Sequence, residues 1–179
     1  MLSVGAPVAD VVRWLEPSGG WGDLSVAADN GPSQVVVAGE RSRLAAFVSW
    51  CEERGVRARL VEVRYASHSP QVEQVREAVV AGLVGVRGAV PRVPWFSTVT
   101  GERVTEPVDA AYWWSNLRDQ VRFGPVVEKL AGEGFRLFAE VSGHPVLTVA
   151  LEQCAPDAGV WGTLRRGEDG PAGQIRALG

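Results

Sequence analysis

The turn signal Asn30-Gly31-Pro32 limits what this chain can fold into more than any other feature. It separates two short apolar runs, Leu24 to Ala28 and Gln34 to Ala38, and the second is rich in β-branched valine. The pair reads as two strands meeting at a turn. On the N-terminal side, Pro7 suits the first turn of a helix, where its missing N–H does no harm. Ala9, Val12, Trp14 and Leu15 then fit a short amphipathic helix, and Pro17-Ser18-Gly19-Gly20 stops it. On the C-terminal side, Gly39-Glu40 leads into a helix from Ser42 to about Arg54, with Leu44, Phe47, Val48 and Cys51 on one face and Gly55 as C-cap.

Two further segments complete the pattern. Met1 to Gly5 is a short apolar start, and Val56 to Val63 alternates apolar and charged residues as a half-buried strand does. The order is therefore β-α-β-β-α-β, the ferredoxin-like arrangement.

After Tyr65 the character changes. Ser69-Pro70 opens a helix to about Val84 with Val72, Val75, Val79 and Leu83 in register. Val93 to Val99 reads as a strand, turned at Thr100-Gly101 into a second short one. Asp109 can cap a helix holding Tyr112, Trp113 and Leu117. Phe123 to Gly132 reads as a helix, Phe135 to Val141 as a buried strand, and Pro145 to Gln153 as a last helix. From Gly167 on, the Gly/Pro/charge-rich tail reads as a linker. This half offers several helices but only two or three strands. A sheet that small cannot cover them, so either the fold is unusual or the missing strands lie on another stretch of polypeptide.

Composition removes several function classes. Hydrophobic residues make up 46% and charged residues 22%, an ordinary globular balance. The net charge is -3, and the arginines are scattered among acids, so no basic stripe marks a nucleic-acid surface. Cys51 and Cys154 stand alone, with no CxxC or Cys/His cluster, which argues against zinc and suits a reducing cytoplasm. No apolar run is long enough to span a bilayer, and the first residues lack a signal-peptide pattern, so a cytoplasmic location is expected.

Candidate chemistry is sparse. There are two histidines, His68 and His144. His68, in Tyr65-Ala66-Ser67-His68-Ser69-Pro70, sits where the small α/β unit meets the next helix. It can act as a general base in a cleft, or be incidental in a capping loop where Ser67 or Ser69 bonds backbone N–H groups. The residues alone favour the capping loop. His144, in Ser142-Gly143-His144-Pro145, follows a strand and precedes a helix, a place that can supply a site residue, but the residues favour a turn histidine with a structural hydrogen bond. No G-x-S-x-G nucleophile elbow occurs. Cys51 falls on an apolar helix face and Cys154 near a helix end, so both read as structural. Glu52-Glu53 and Glu73/Glu77 look like solvated faces, and Trp113-Trp114 like core.

Several motifs, taken together, carry a family resemblance. Tyr65-Ala66-Ser67-His68-Ser69-Pro70 resembles the YASHS(P) signature of acyltransferase domains in modular type I polyketide synthases. In order along the chain, Ser25 to Ala28 with Asn30-Gly31-Pro32 and Val35 to Gly39 are similar to that family's SVAAxNGPxxVVVSG stretch, and Phe96 to Gly101 to YSTVTG. Tyr112 to Arg118 with Val121-Arg122-Phe123 resembles YWYxNLRxxVRF, and Phe138 to Leu147 resembles FxEVSxHPVL. The match runs from about residue 1 to about 166.

The resemblance implies a two-part α/β domain. Residues 1–62 would be a ferredoxin-like small subdomain, and 63–166 the C-terminal part of a large α/β-hydrolase-like acyltransferase subdomain, with 167–179 as tail. It implies ping-pong transfer of a malonyl-type unit from a coenzyme A thioester to the phosphopantetheine thiol of an acyl carrier protein, within a synthase whose other domains are neighbours. No tightly bound cofactor, metal, nucleic acid or membrane is implied. His68 takes the family's general-base position, and Asn116 the place whose backbone carbonyl orients it. Tyr65, Ala66 and Ser67 occupy the substrate-selecting motif. The YASH form goes with methylmalonyl units, and a small Ser67, where the malonyl form has Phe, leaves room for an α-methyl group.

In the family the serine elbow, the carboxylate-binding arginine and most of the oxyanion hole lie N-terminal to this segment. The resemblance thus leads to two expectations. This polypeptide alone transfers no acyl group, and a sheet face that the other half would cover is exposed. Two other readings compete: a non-catalytic remnant that docks on a carrier protein or synthase subunit, and a ferredoxin-like RNA-binding module. The strands lack the aromatics and basic residues the last would need.

Overall fold

The computed structural model describes residues 1–63 and 65–167. The elements in chain order are β1 (Leu2–Val4), α1 (Val8–Leu15), β2 (Ser25–Asp29), β3 (Val35–Ala38), α2 (Arg41–Glu52), β4 (Ala58–Leu60), a 3-10 turn (Pro70–Val75), α3 (Arg76–Gly82), α4 (Ala110–Arg118), β5 (Val121–Arg122), α5 (Phe123–Gly132), β6 (Leu137–Glu140), α6 (Thr148–Cys154) and β7 (Gly159–Gly162). The chain divides into two compact units, Met1–Val126 and Val127 onward.

In the first unit the predicted β-α-β-β-α-β order is present, with the sheet order β4-β1-β3-β2. β1 pairs antiparallel with both β3 and β4, and β2 antiparallel with β3. This is the ferredoxin-like topology. Period-2 alternation turns Leu2, Val4, Val35 and Val37 to one face, where α1 and α2 lay Val11, Leu15, Leu44, Phe47 and Cys51 against them. Phe47 is among the largest fully buried side chains. Around it Trp14, Trp21 and Trp50 pack edge-on, tilted or stacked, with ring centroids 5.0–6.3 Å apart. The guanidiniums of Arg43 and Arg54 lie over Trp21 and Trp50.

α2 ends as its sequence predicts. Gly55 takes a left-handed φ of 70°, its N–H reaches Glu52 O, and the Val56 N–H reaches Cys51 O. That is a Schellman cap, and glycine adopts it without a Cβ penalty.

The sheet gains a fifth strand that the sequence did not suggest. β5 pairs in parallel with β2, Ala28 opposite Val121 and Asp29 opposite Arg122. Beside it the backbone of Gly124 packs so closely on Asn30-Gly31 that a Cβ there would meet Gly31 N and Cα at 2.8 Å. The Asn30-Gly31-Pro32 turn is thereby tied to the start of α5.

Two expected elements in this unit differ. The helix expected from Ser69 to Val84 begins as a 3-10 turn and turns α-helical only at Arg76. Of its apolar stripe only Val72 is buried. The expected strand pair at 93–103 shrinks to one bridge, Phe96 to Arg103. Ser97 closes that turn: its hydroxyl accepts from the N–H of Val99 and is within 2.8 Å of the Tyr112 hydroxyl. Asp109 caps α4 as predicted, its carboxylate accepting from Tyr112 N–H at 3.0 Å.

The second unit is a β-α-β element. β6 and β7 pair in parallel, Leu137 opposite Gly159 through Glu140 opposite Gly162, and α6 connects them. β7 was not expected from the sequence. The expectation of a buried strand here is corrected: Leu137 is 70% exposed and Val141 84%. Parallel strands are covered on both faces in complete sheets. Among the described residues β6 has one neighbouring strand. The tail expected from Gly167 lies, beyond Gly167 itself, outside the described residues.

Candidate functional site

The segment Tyr65–Pro70 connects β4 to the 3-10 turn. Ser69 is buried, and its hydroxyl donates to Ala66 O at 2.7 Å while accepting from Gln71 N–H at 3.2 Å. This is the capping role anticipated for a serine of this loop. It is not the only thing the loop does.

His68 has φ 59°, the single non-glycine residue with positive φ among those described. For a residue with a Cβ that conformation costs about 1–3 kcal/mol and persists only where the surroundings fix it. They do so at two points. The His68 N–H donates to Leu117 O at 2.8 Å, and the ring Nδ1 lies 2.9 Å from Asp119 O. A carbonyl can only accept, so Nδ1 carries the proton. In the neutral form, that tautomer leaves the lone pair on Nε2, as a general base needs.

Asn116 is not the residue whose carbonyl meets the ring. It lies inside α4, where carbonyls run along the helix axis. α4 ends at Arg118, and Asp119 turns extended with φ -88° and ψ 160°. That turn swings the Asp119 carbonyl off the axis and toward His68, three residues past the position the motif suggested.

Tyr65 is 68% exposed, Ala66 is half-buried, and Ser67 is buried at 7%. Tyr65 and Ala66 line a cavity of about 860 Å³, together with Leu44, Leu60, Val63 and Val72. The cavity adjoins the motif, and neither Ser67 nor His68 is among its lining residues.

Burial pushes the Cys51 thiol up to about 11, an effect that Arg54 opposes and Glu52 adds to. Such a thiol is no nucleophile at neutral pH. Cys154 is buried near the end of α6. His144 is exposed, and its Nδ1 accepts only a long 3.5 Å contact from Arg166 N–H. Burial also raises the Asp29 carboxyl, partly offset by the Gly31 N–H. No group of three or more His, Cys, Asp or Glu that could hold a metal occurs among the described residues. No helix there is long and apolar enough to cross a membrane.

Two polar side chains make contacts that the sequence did not suggest. One is Glu140, which stands before α6. Its carboxylate accepts from Val146 N–H at 2.8 Å and Leu147 N–H at 2.8 Å, and from the Ser142 hydroxyl at 3.1 Å. Burial pushes this carboxyl up, but those donors and Thr148 N–H outweigh it and hold it below its ordinary value. A signal existed: α6 starts after Leu147, which has no side-chain acceptor, so its first N–H groups needed one from elsewhere. The other is Arg118, whose Nε donates to Glu73 Oε1 at 2.7 Å. No sequence signal joins those two.

The chain matches the acyl transferase domain family over residues 6–178. It is 44% identical over 179 residues to pikromycin polyketide synthase component PikAIII of Streptomyces venezuelae, covering 99% of this chain and 11% of that protein. It is 48% identical over 179 residues to the spectinabilin polyketide synthase system protein NorA' of Streptomyces orinoci, covering 96% and 5%. Among solved structures, the acyltransferase domain from module 8 of the salinomycin polyketide synthase superposes with a TM-score of 0.94 at 41% identity, over 99% of this chain and 43% of that one. A loading acyltransferase from the avermectin modular polyketide synthase gives a TM-score of 0.92 at 37% identity, over 99% and 57%. The chain thus spans a small part of the curated relatives and about half of these solved domains. By the family match and by these likenesses in sequence and fold, it belongs to the acyl transferase domain family of modular polyketide synthases.

Proposed function

We propose that this chain is the base-bearing share of an acyltransferase that moves a methylmalonyl unit from coenzyme A to the phosphopantetheine thiol of an acyl carrier protein. One observation carries the reading: a strained His68 whose Nδ1–H is held by a backbone carbonyl 51 residues away, leaving Nε2 free. Residues 1–62 form the small subdomain in this reading, and 63–166 contribute to the large one. The nucleophile is a serine on a different stretch of polypeptide, because this chain has no G-x-S-x-G elbow.

The proton traffic balances at Nε2. His68 takes the serine hydroxyl proton as the oxygen attacks the thioester carbonyl, and returns it to the departing coenzyme A sulfur. In the second half it takes the carrier thiol proton as that sulfur attacks the serine ester, then gives it back to the serine oxygen. Tyr65, Ala66 and Ser67 select the acyl unit. A small side chain at the buried Ser67 leaves volume for an α-methyl group, a preference of about 1–3 kcal/mol.

The test is a loading assay with labelled methylmalonyl-CoA and a carrier protein. The isolated 179-residue chain should load nothing. A domain in which this chain completes a serine-bearing segment should load, and His68→Gln there should slow it about 10²–10⁴-fold. Loading by the isolated chain, or an undiminished rate in the His68 variant, would overturn the reading.

A further inference from the structure

Three consecutive residues at the end of α4 hold the histidine segment, each by a different group. Leu117 O accepts the His68 N–H at 2.8 Å. Asp119 O faces the ring Nδ1 at 2.9 Å. Between them, Arg118 sends its side chain to Glu73, five residues beyond the histidine, with Nε donating to Oε1 at 2.7 Å. A fourth contact runs alongside, the Arg76 guanidinium over the Trp114 ring at 5.9 Å.

The backbone contacts reach the histidine itself at two points only, its N–H and its ring Nδ1. The Asp119 carbonyl sits on an extended residue, ψ 160°, whose N–H still bonds Ser115 O and which links α4 to β5, while its own carbonyl is outside the helix ladder. His68 holds a left-handed φ that relaxes if its neighbours yield. The 3-10 turn after it is short, and Val72 is its only buried side chain. An ion pair that joins this turn to the last helical residue closes a loop. The loop runs from His68 through Ser69 to Glu73, across to Arg118, and back through Asp119 to the ring. The Asp119 anchor lies inside it, and the Leu117 anchor is the next residue of α4 outside it.

We propose that the Glu73–Arg118 pair is a positioning brace for His68: it touches no substrate, and it sets the ring tautomer by fixing the Asp119 carbonyl against Nδ1. The proposal rests on the reading of His68 as the base. An exposed pair of this kind adds little to global stability, so its effect should appear at the ring and not in the melting curve.

The tautomer can be read directly. The chain has only two histidines, so ¹⁵N-histidine labelling of the full chain, with a His144→Gln background for assignment, gives one ring to follow. At a pH where the ring is neutral, His68 should be almost wholly Nδ1–H. Arg118→Gln and Glu73→Gln should each raise the Nε2–H share roughly two- to fivefold, and the exchanged pair Glu73→Arg/Arg118→Glu should restore most of the original ratio. Glu73→Gln, a surface change, carries the test if Arg118→Gln does not fold. Unchanged tautomer ratios in the folded variants would overturn the brace while leaving His68 intact as base. A wild-type ring protonated on Nε2 would overturn the base reading itself, and the brace with it.

Discussion

In the sheet β4-β1-β3-β2-β5 the three inner strands have a neighbour on each side, and two helices cover one face. In the pair β6-β7 each strand has one neighbour, and one helix connects them. Both carry apolar side chains in number, yet in the first sheet Leu2, Val4, Val35 and Val37 are wholly buried, whereas Leu137, Val141, Val146 and Val149 around the second are exposed. Residue type is not what separates them. An antiparallel sheet with one helical layer closes a core from local chain, while a parallel pair needs covering on both faces and further strands at its edges. The first sheet thus closes a core in a way that the second does not.

That contrast can be broken, beginning with the largest effect. Phe47→Ala empties the centre of the closed core and should destabilise the first unit by about 3–5 kcal/mol, read by denaturant unfolding. A loss under about 1 kcal/mol would mean that this core is no better packed than the second unit.

Next comes Glu140→Ala, which strips the N–H groups of Val146, Leu147 and Thr148 at the entry to α6 of their acceptor and should cost the second unit about 1 kcal/mol, as other helix caps do. Acid makes the same change reversibly. The folded carboxyl lies below its ordinary value, so its contribution is complete above the unfolded value. It is lost as pH falls through the lower folded one. Amide exchange at Val146 and Leu147 should therefore stay slow through the ordinary glutamate range and speed up only below it. Speeding already within that range would contradict the cap.

Smallest in stability is Leu137→Lys with Val141→Lys, within about 0.5 kcal/mol because both sites are exposed. Their effect should instead be on association. An uncovered apolar patch draws copies together, so sedimentation should show the parent chain associating and the double variant monodisperse. A monodisperse parent would remove the distinction between the two sheets.

The same division explains what could be read from sequence. The β-α-β-β-α-β order was legible because each boundary is local chemistry: Asn30-Gly31-Pro32, Gly55, and stripes such as Leu44, Phe47 and Cys51. α5 and the Asp109 cap were legible for the same reason. β5 was not, since two residues, Val121 and Arg122, carry no period, and their partner β2 lies some ninety residues earlier. β7 was hidden by the glycines at both its ends, Gly159 and Gly162. At the site, His68 and its motif could be read, but the ring's partner could not. Every residue carries a carbonyl, and only the break in α4 after Arg118 decides that Asp119 presents the one that matters. Glu73, read as part of a solvated helix face, gave no hint of its contact with Arg118, because their 45-residue separation follows no repeat.

The packed indoles around Phe47 also fix what light can report about this chain. Six of its seven tryptophans, Trp14, Trp21, Trp50, Trp95, Trp113 and Trp114, precede Val127, and Trp161 on β7 stands alone in the second unit. With Trp14 and Trp50 at 5.3 Å and Trp21 and Trp50 at 6.3 Å, excitation passes among them, and two of these rings lie under guanidiniums. Intrinsic emission is therefore in effect a gauge of the first unit. A chain whose β6-α6-β7 element had come apart would still glow almost as the intact one does.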